Sequence, residues 1–296
     1  MHTNHCRDFI EKGGVEKLMK IYTLSSLPYD FALATSSYSL SHLFRTIGET
    51  NSSAIVPSAS KEMVPAFEKC RTLMDYGGSD SLFKQYVSIK SDQVEFLAKS
   101  NELYNALITI HGLTGLWSDL YCSQTFSTSR AVGPIIQSLS SDDGINILKE
   151  MNRLHRTCVW EHHTFKRSIP KVWLHVKSKK DKDEKKDDGS KDEKKEPELF
   201  ADPNDVRVLN ARHLQFLVAK IPSVLIPLLS GIARMLLPKR SPELRKQVAR
   251  ITEVFSDMLI ENLAWKRSNE PGTEVIRHHY YSVLYGQMKI LFFDGK

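Results

Sequence analysis

The residues of this chain that could bind a metal ion are a histidine–cysteine group near the N-terminus and two pairs of adjacent histidines. His2, His5 and Cys6 could bind zinc, but no second pair of ligands follows at the spacing that zinc sites use. The histidine pairs are residues 162–163 and 278–279. Adjacent residues of a helix point about 100° apart, so neither pair can converge on one ion. The sequence therefore predicts no metal site.

No motif of covalent or phosphate chemistry accompanies the four cysteines at positions 6, 70, 122 and 158. The sequence lacks a Gly-x-Ser-x-Gly nucleophile elbow, a His-Glu-x-x-His motif and a glycine loop ending in Lys-Ser or Lys-Thr. The cysteines form no Cys-x-x-Cys pair, which is typical of buried thiols in a reducing compartment. We expect no catalytic residue and no cofactor, and a location in the cytoplasm, the nucleus or both.

The charge distribution divides the chain into three parts. The run at residues 177–198 holds nine lysines and nine acidic residues and has no apolar side chain, so it cannot offset the entropy cost of ordering. We expect a helical segment over residues 1–176, a disordered charged linker over 177–204 and a continuation of the helical part over 205–296. The net charge of +6 lies in the helical parts and is dispersed, which favours a solvated basic surface over a nucleic-acid site.

Apolar residues recur with helical spacing in the segments that flank this run. The pattern predicts helices over residues 91–122 and 142–160, and helix starts at residues 202–205 and 241–243, where Asp or Ser precedes Pro. No segment alternates like a β-strand with turn residues beside it. The most apolar stretch, residues 221–238, is interrupted by prolines and Arg234, which argues against a membrane span.

Two glycine pairs mark helix ends within this pattern. Gly13 is expected in the left-handed conformation, and Gly14 allows the chain to reverse. Gly77-Gly78 is expected to end a second helix in the same way. A helix that stops at Gly-Gly and restarts at once forms a tight antiparallel pair, which is the unit of α-solenoids. The expected fold is therefore all-α, an armadillo-like α-solenoid whose repeats are degenerate and which carries a disordered charged insertion.

A solenoid of this kind binds extended peptides along the helices that line its groove. Lys17 and Lys20 follow the first glycine pair, beside the apolar positions Val15, Leu18 and Met19. They could face such a groove and contact a partner there. The alternative is that both lysines belong to an ordinary solvated helix face.

Three stretches of the sequence carry a resemblance to a known family. They are HCRDFIEKGGVEKLMKIYTLSSLPYDF at residues 5–31, GINILKEMNRLHRTCVWE at residues 144–161 and IPLLSGIARMLLP at residues 226–238, and FFDGK closes the chain. In order and rough spacing they resemble the armadillo-like N-terminal region of the giant HECT-type E3 ubiquitin-protein ligases, the Mule/Tom/UPL type. The resemblance spans nearly the whole chain.

This resemblance implies a function for the parent protein and a limited role for the chain. In such ligases the solenoid recruits protein substrates, and a C-terminal HECT module carries the thioester cysteine. The chain has no room for that module, so it is expected to be a non-catalytic scaffold fragment, or a partial gene model. Its partners would be ubiquitination substrates and neighbouring repeats of the same parent.

Two other functions remain open at this point. One is a free-standing armadillo-like adaptor that binds proteins without any link to ubiquitin. The other is a helical protein that binds nucleic acid, whose affinity would fall steeply with salt.

Overall fold

The computed structural model describes residues 3–51, 54–87, 92–121, 132–174, 202, 204–235, 242–267 and 274. Its regular structure is entirely helical, and no β-strand occurs among the described residues, which confirms the all-α class. The α-helices are α1 (Thr3–Glu11), α2 (Gly14–Met19), α3 (Thr35–Thr50), α4 (Ile55–Met74), α5 (Leu82–Val87), α6 (Val94–Tyr121), α7 (Val132–Leu139), α8 (Asp142–Ser168), α9 (Lys171–Leu174), α10 (Val206–Met235) and α11 (Arg245–Ala264). Short 3-10 helices cover Lys20–Thr23, Phe31–Leu33 and Pro242–Leu244.

Four long helices build the centre of the fold. The helix α6 packs against α4 and α10, and α8 packs against α4, α10 and α11. The buried apolar side chains of α4, α6, α8 and α10, together with those of α11, form one cluster, which includes Phe67, Trp117, Phe165 and Phe255. The helix α10 therefore shares a core with helices that precede the charged run. The predicted linker at 177–204 lies outside the described residues, apart from Asp202 and Asn204.

The helix α6 lies within the range that its apolar spacing predicts. Its apolar residues are buried from Leu103 through Leu120. The first turn differs from the prediction, because the side chains of Val94 and Leu97 are 70% and 40% exposed. This end of α6 therefore extends beyond the core.

The start of α10 follows from the acidic residues that precede it. The Asp205 carboxylate accepts the backbone N–H of Arg207 at 2.9 Å, which satisfies a donor that the first helical turn leaves free. The Asp202 carboxylate accepts the N–H of Asn204 at 2.9 Å in the turn before it.

No helix among the described residues is both long and apolar enough to cross a membrane.

The first glycine pair produces a sharp turn between α1 and α2. Gly13 has φ 71° and ψ 28°, the left-handed conformation, and its N–H binds the carbonyl of Ile10 at 3.0 Å. Gly14 is buried and begins α2 directly. A side chain at Gly14 would collide with the ring of Phe9, so the two helices meet closely at this point.

The second glycine pair behaves differently, and the expectation of an immediate restart is wrong there. The helix α4 ends at Met74, and its cap residue Asp75 has a right-handed backbone. Among the described glycines, Gly13 alone has a positive φ. Gly77 and Gly78 therefore do not provide a left-handed cap. The next helix, α5, begins only at Leu82.

Candidate protein-binding cleft

Lys17 and Lys20 lie on the surface near the N-terminal turn. Lys17 belongs to α2, Lys20 opens the following 3-10 helix, and both side chains are exposed. The neighbouring Glu16 accepts a hydrogen bond from the Ser58 hydroxyl of α4 at 3.4 Å. Neither lysine lines the cleft between α4 and α8 or the cleft between α4 and α6, so the structure does not bring them together with either of these cavities.

The larger cleft lies between α4 and the turn that joins α7 to α8, and we call it the α4–α8 cleft. It is open to solvent and has a volume of about 710 Å³. One wall comes from α4 and the other from the end of α7 and the first turn of α8. The lining residues are Pro57, Ser60, Lys61, Val64, Pro65, Gln137, Ser138, Ser141, Asp143 and Gly144.

The α4 wall combines an apolar surface with an unusual backbone. Pro57, Val64 and Pro65 supply apolar atoms. Pro65 lies inside the helix and has no N–H, so the carbonyl of Lys61 lacks its usual donor four residues later. A ligand in this cleft would meet these apolar side chains and the exposed side chain of Lys61.

The opposite wall is fixed by the N-terminal cap of α8. The Ser141 hydroxyl accepts the N–H of Gly144 at 3.1 Å and donates to the carbonyl of Ser138 at 2.6 Å. Gly144 is buried, and a side chain there would collide with the backbone of Ser138 and Leu139. Asp143 is exposed in this first turn, where the helix dipole favours a negative charge. The cleft thus has a cation on one wall and an anion on the other.

A second cleft of about 560 Å³ separates the C-terminal half of α4 from the first turns of α6. Lys69 of α4 and Glu102 of α6 bridge it with an ion pair of 3.6 Å between exposed side chains. Glu95 and Lys99 also line it. Most of its lining side chains are polar or charged, and none of them is a large apolar residue.

A buried polar centre lies where α8 meets the start of α5. The Glu161 carboxylate accepts the hydroxyl proton of Ser81 and the backbone N–H of Phe83, the latter at 3.0 Å. The Glu161 side chain therefore caps the N-terminus of α5, although Glu161 lies 80 positions after Ser81 in the sequence. Burial raises the pKa of Glu161, and the two hydrogen bonds and the nearby Arg267 oppose this shift.

The cysteines of the described residues are buried thiols. Cys6, Cys70 and Cys158 are free and at most 1% exposed. Burial raises the pKa values of Cys70 and Cys158, which removes the thiolate that a nucleophile requires. Cys122 lies outside the described residues.

The histidines give no metal centre within the described part of the chain. His162 is half-buried, and its Nδ1 atom is 2.8 Å from the side-chain amide of Gln215. No group of three potential ligands occurs among the residues that the structure describes. His2 and the pair at 278–279 lie outside them.

Fold and surface together define an all-helical protein with a mixed-charge cleft. No protein-family model matches the chain, and a comparison with curated proteins finds no match.

Sequence reasoning missed the α4–α8 cleft, because its walls are some 80 residues apart. The prolines of α4 were the available signal, since a helix with Pro57 and Pro65 on one exposed face is unusual.

Proposed function

We propose that this chain is a non-catalytic, protein-binding segment of a HECT-type E3 ubiquitin ligase, and that its helices are degenerate repeats of an armadillo-like α-solenoid. The observation that carries the proposal is the position of the residues on which the family resemblance rests. Large apolar side chains of each of the three long stretches, among them Tyr22, Trp160 and Leu228, are buried in the interior, so they act as determinants of a fold. Residues that determine a fold are the ones that a non-catalytic scaffold segment would share with its family.

The first of these stretches anchors the N-terminal turn. Phe31 is 5% exposed and meets the ring of Tyr22 edge to face, with 5.7 Å between ring centroids. Tyr29 stacks on His213 of α10 at 4.0 Å. The turn at residues 27–31 therefore packs against α10, which follows the charged run.

Described residues of the other two stretches also lie in the interior. Trp160 and Glu161 of α8 have no exposed surface, and Glu161 caps α5. Leu228 and Leu229 of α10 are buried in the central cluster. Three buried cysteines, two with raised pKa values, fit a segment that does not itself accept ubiquitin.

Binding to protein substrates is the role that the α4–α8 cleft supports. An open cleft with an apolar wall suits an extended peptide, and Lys61 and Asp143 set its charge requirement. Other surfaces would contact neighbouring repeats of the parent protein. The same cleft would serve a free-standing adaptor equally well, and this is the second function that the structure favours.

A charge reversal in the cleft tests the binding role. In the full-length protein expressed in cells, we expect Lys61→Glu to reduce ubiquitination of a subset of substrates, measured by ubiquitin-remnant mass spectrometry. The matched control is Lys246→Glu, which reverses an exposed lysine of α11 outside the cleft. The binding role of the cleft is refuted if the two variants give the same remnant profile as the wild type.

A further inference from the structure

Arg267 occupies a cage of aromatic side chains beyond the end of α11. Its guanidinium carbon lies 3.7 Å from the ring centroid of Trp160 and 5.4 Å from that of Tyr76. The guanidinium also donates a hydrogen bond to the carbonyl of Tyr76. A cation this close to an indole face is strongly attracted when water is excluded, and Trp160 has no exposed surface.

A buried carboxylate lies beside this cage without forming an ion pair with Arg267. Glu161, the neighbour of Trp160, is fully buried and attracts Arg267 electrostatically. Its Oε1 atom accepts the hydrogen bonds from Ser81 and Phe83. Its Oε2 atom is buried and has no hydrogen-bond partner among the described residues. The site therefore holds acceptor capacity that the protein's own donors leave unused.

The cage differs from the other arginine–aromatic contacts of the surface. Arg207 lies 5.7 Å above one ring, that of Trp173, and pairs with Asp205 in the same turn. That pair is exposed to solvent on the Arg207 side. Arg267 by contrast contacts two rings and a backbone carbonyl, and the buried Glu161 adds a favourable charge nearby.

The segment that carries Arg267 follows the last turn of α11, and Arg156 lies 5.9 Å from the ring centroid of its Trp265. Residues 265–267 lie outside any helix, and Trp265 is extended, with φ −65° and ψ 129°. Arg267 itself is half-buried. Lifting these residues would uncover the cage without unwinding α11, because the helix ends at Ala264.

We propose that the rings of Trp160 and Tyr76 and the Tyr76 carbonyl form a guanidinium-binding site beside the buried Glu161. The chain fills this site with its own Arg267, and the site binds an arginine of a partner peptide when residues 265–267 lift away. The site prefers arginine to lysine, since a guanidinium is planar, weakly hydrated and able to donate to two acceptors at once. This inference is independent of the proposed link to ubiquitin ligases. It adds a binding site on a different face from the α4–α8 cleft.

Removing the internal arginine gives the test. The Arg267→Ala variant of the full chain is titrated with N-acetyl-arginine methylamide, and the Trp160 indole resonance is followed by NMR after assignment with Trp160→Phe. We expect saturable binding with a Kd of about 1 mM, a usual value for a ligand of this size. N-acetyl-lysine methylamide should bind at least about tenfold more weakly.

A matched control separates the cage from general effects of arginine. Arg250 of α11 is also an arginine that bonds across helices, to the Ser140 carbonyl and Asp142, but it has no aromatic cage. The Arg250→Ala variant should not gain binding at Trp160. Equal binding to both variants, equal binding of the two amino-acid derivatives, or no binding to Arg267→Ala would overturn the proposal.

The test also has an outcome if Arg267→Ala fails to fold. In that case the arginine derivative should restore the helical circular dichroism of this variant, and the lysine derivative should not. If the arginine derivative does not restore the helical signal, Arg267 stabilises the fold only as part of the chain, and the proposal of a ligand site would be wrong.

Discussion

Two glycines of α6 provide a matched pair for testing how the N-terminal turn packs on the core. Gly112 lies beneath the ring of Tyr22, and a methyl group added there would be 2.7 Å from the Tyr22 Cδ1 atom. Tyr22 has no exposed surface and is held between Phe31 and Phe44, so its ring has little room to move. Gly115, one turn later, has no atom within 4 Å of the same added methyl group.

The magnitude follows from comparing the two substitutions to alanine. Both gain the helix propensity of alanine over glycine, about 1 kcal/mol. Gly112→Ala also overpacks the Tyr22 site, which costs about 1–3 kcal/mol. Gly115→Ala should therefore stabilise the protein, and the two variants should differ by about 1–3 kcal/mol, the packing cost alone.

The assay is urea unfolding followed by circular dichroism at the helical band, with thermal unfolding as a second readout. Each kcal/mol shifts the Tm by about 2–4 °C in a protein of this size. The reasoning is refuted if Gly112→Ala is as stable as Gly115→Ala. That result would mean that the turn carrying Tyr22 does not rest on α6 in solution.

Three further predictions concern buried polar groups and thiols. Asn152 and Asn262 exchange two amide hydrogen bonds, of 3.4 and 2.7 Å. Each alanine substitution should lower the free energy of unfolding in urea by about 2–3 kcal/mol. The double mutant should show a coupling energy of about 1–2 kcal/mol, and additive costs would contradict the pairing. Burial lowers the pKa of His111 from 6.5 to about 4, assisted by the charge of Lys220. Between those pH values the unfolded chain binds a proton at His111 and the folded chain does not. The free energy of unfolding should therefore fall by up to about 3 kcal/mol from pH 7 to pH 4. His111→Gln should flatten that dependence, and an unchanged pH profile would argue against burial. Cys70 and Cys158 should resist iodoacetamide in the native protein and react after denaturation, as mass spectrometry would show; rapid native labelling would contradict their burial.

Local pattern was sufficient to predict α6 and the start of α10. Apolar spacing placed α6 within residues 91–122, and the acidic residues before Val206 placed the start of α10. It was sufficient at Gly13 as well, because only glycine adopts a positive φ there without strain.

The second glycine pair shows where local pattern fails. The end of α4 is fixed by distant residues, since Arg153 of α8 pairs with Asp75 at 2.5 Å and Arg267 binds the carbonyl of Tyr76. Gly77 follows with no neighbour within 4 Å of its added methyl position. A helix end set by tertiary contacts leaves no signature in the adjacent residues.

The candidate sites depend on the same long-range contacts. The cap that Glu161 provides to Phe83 joins residues 78 positions apart, and the aromatic cage joins α4, α8 and the end of α11. Pairings over such distances in sequence leave no local pattern from which they could be predicted. Lys17 and Lys20, which sequence reasoning selected, are exposed and lie apart from both clefts.

The central proposal is that this chain is a non-catalytic scaffold segment of a HECT-type ubiquitin ligase. Its most direct test is to insert an epitope tag into the endogenous gene within this segment, purify the product and incubate it with ubiquitin-charged E2. The proposal predicts a protein far larger than 33.8 kDa, which forms a thiol-sensitive ubiquitin adduct on a cysteine outside the 296 residues. A product near 33.8 kDa without an adduct, or an adduct on Cys6, Cys70, Cys122 or Cys158, would contradict it.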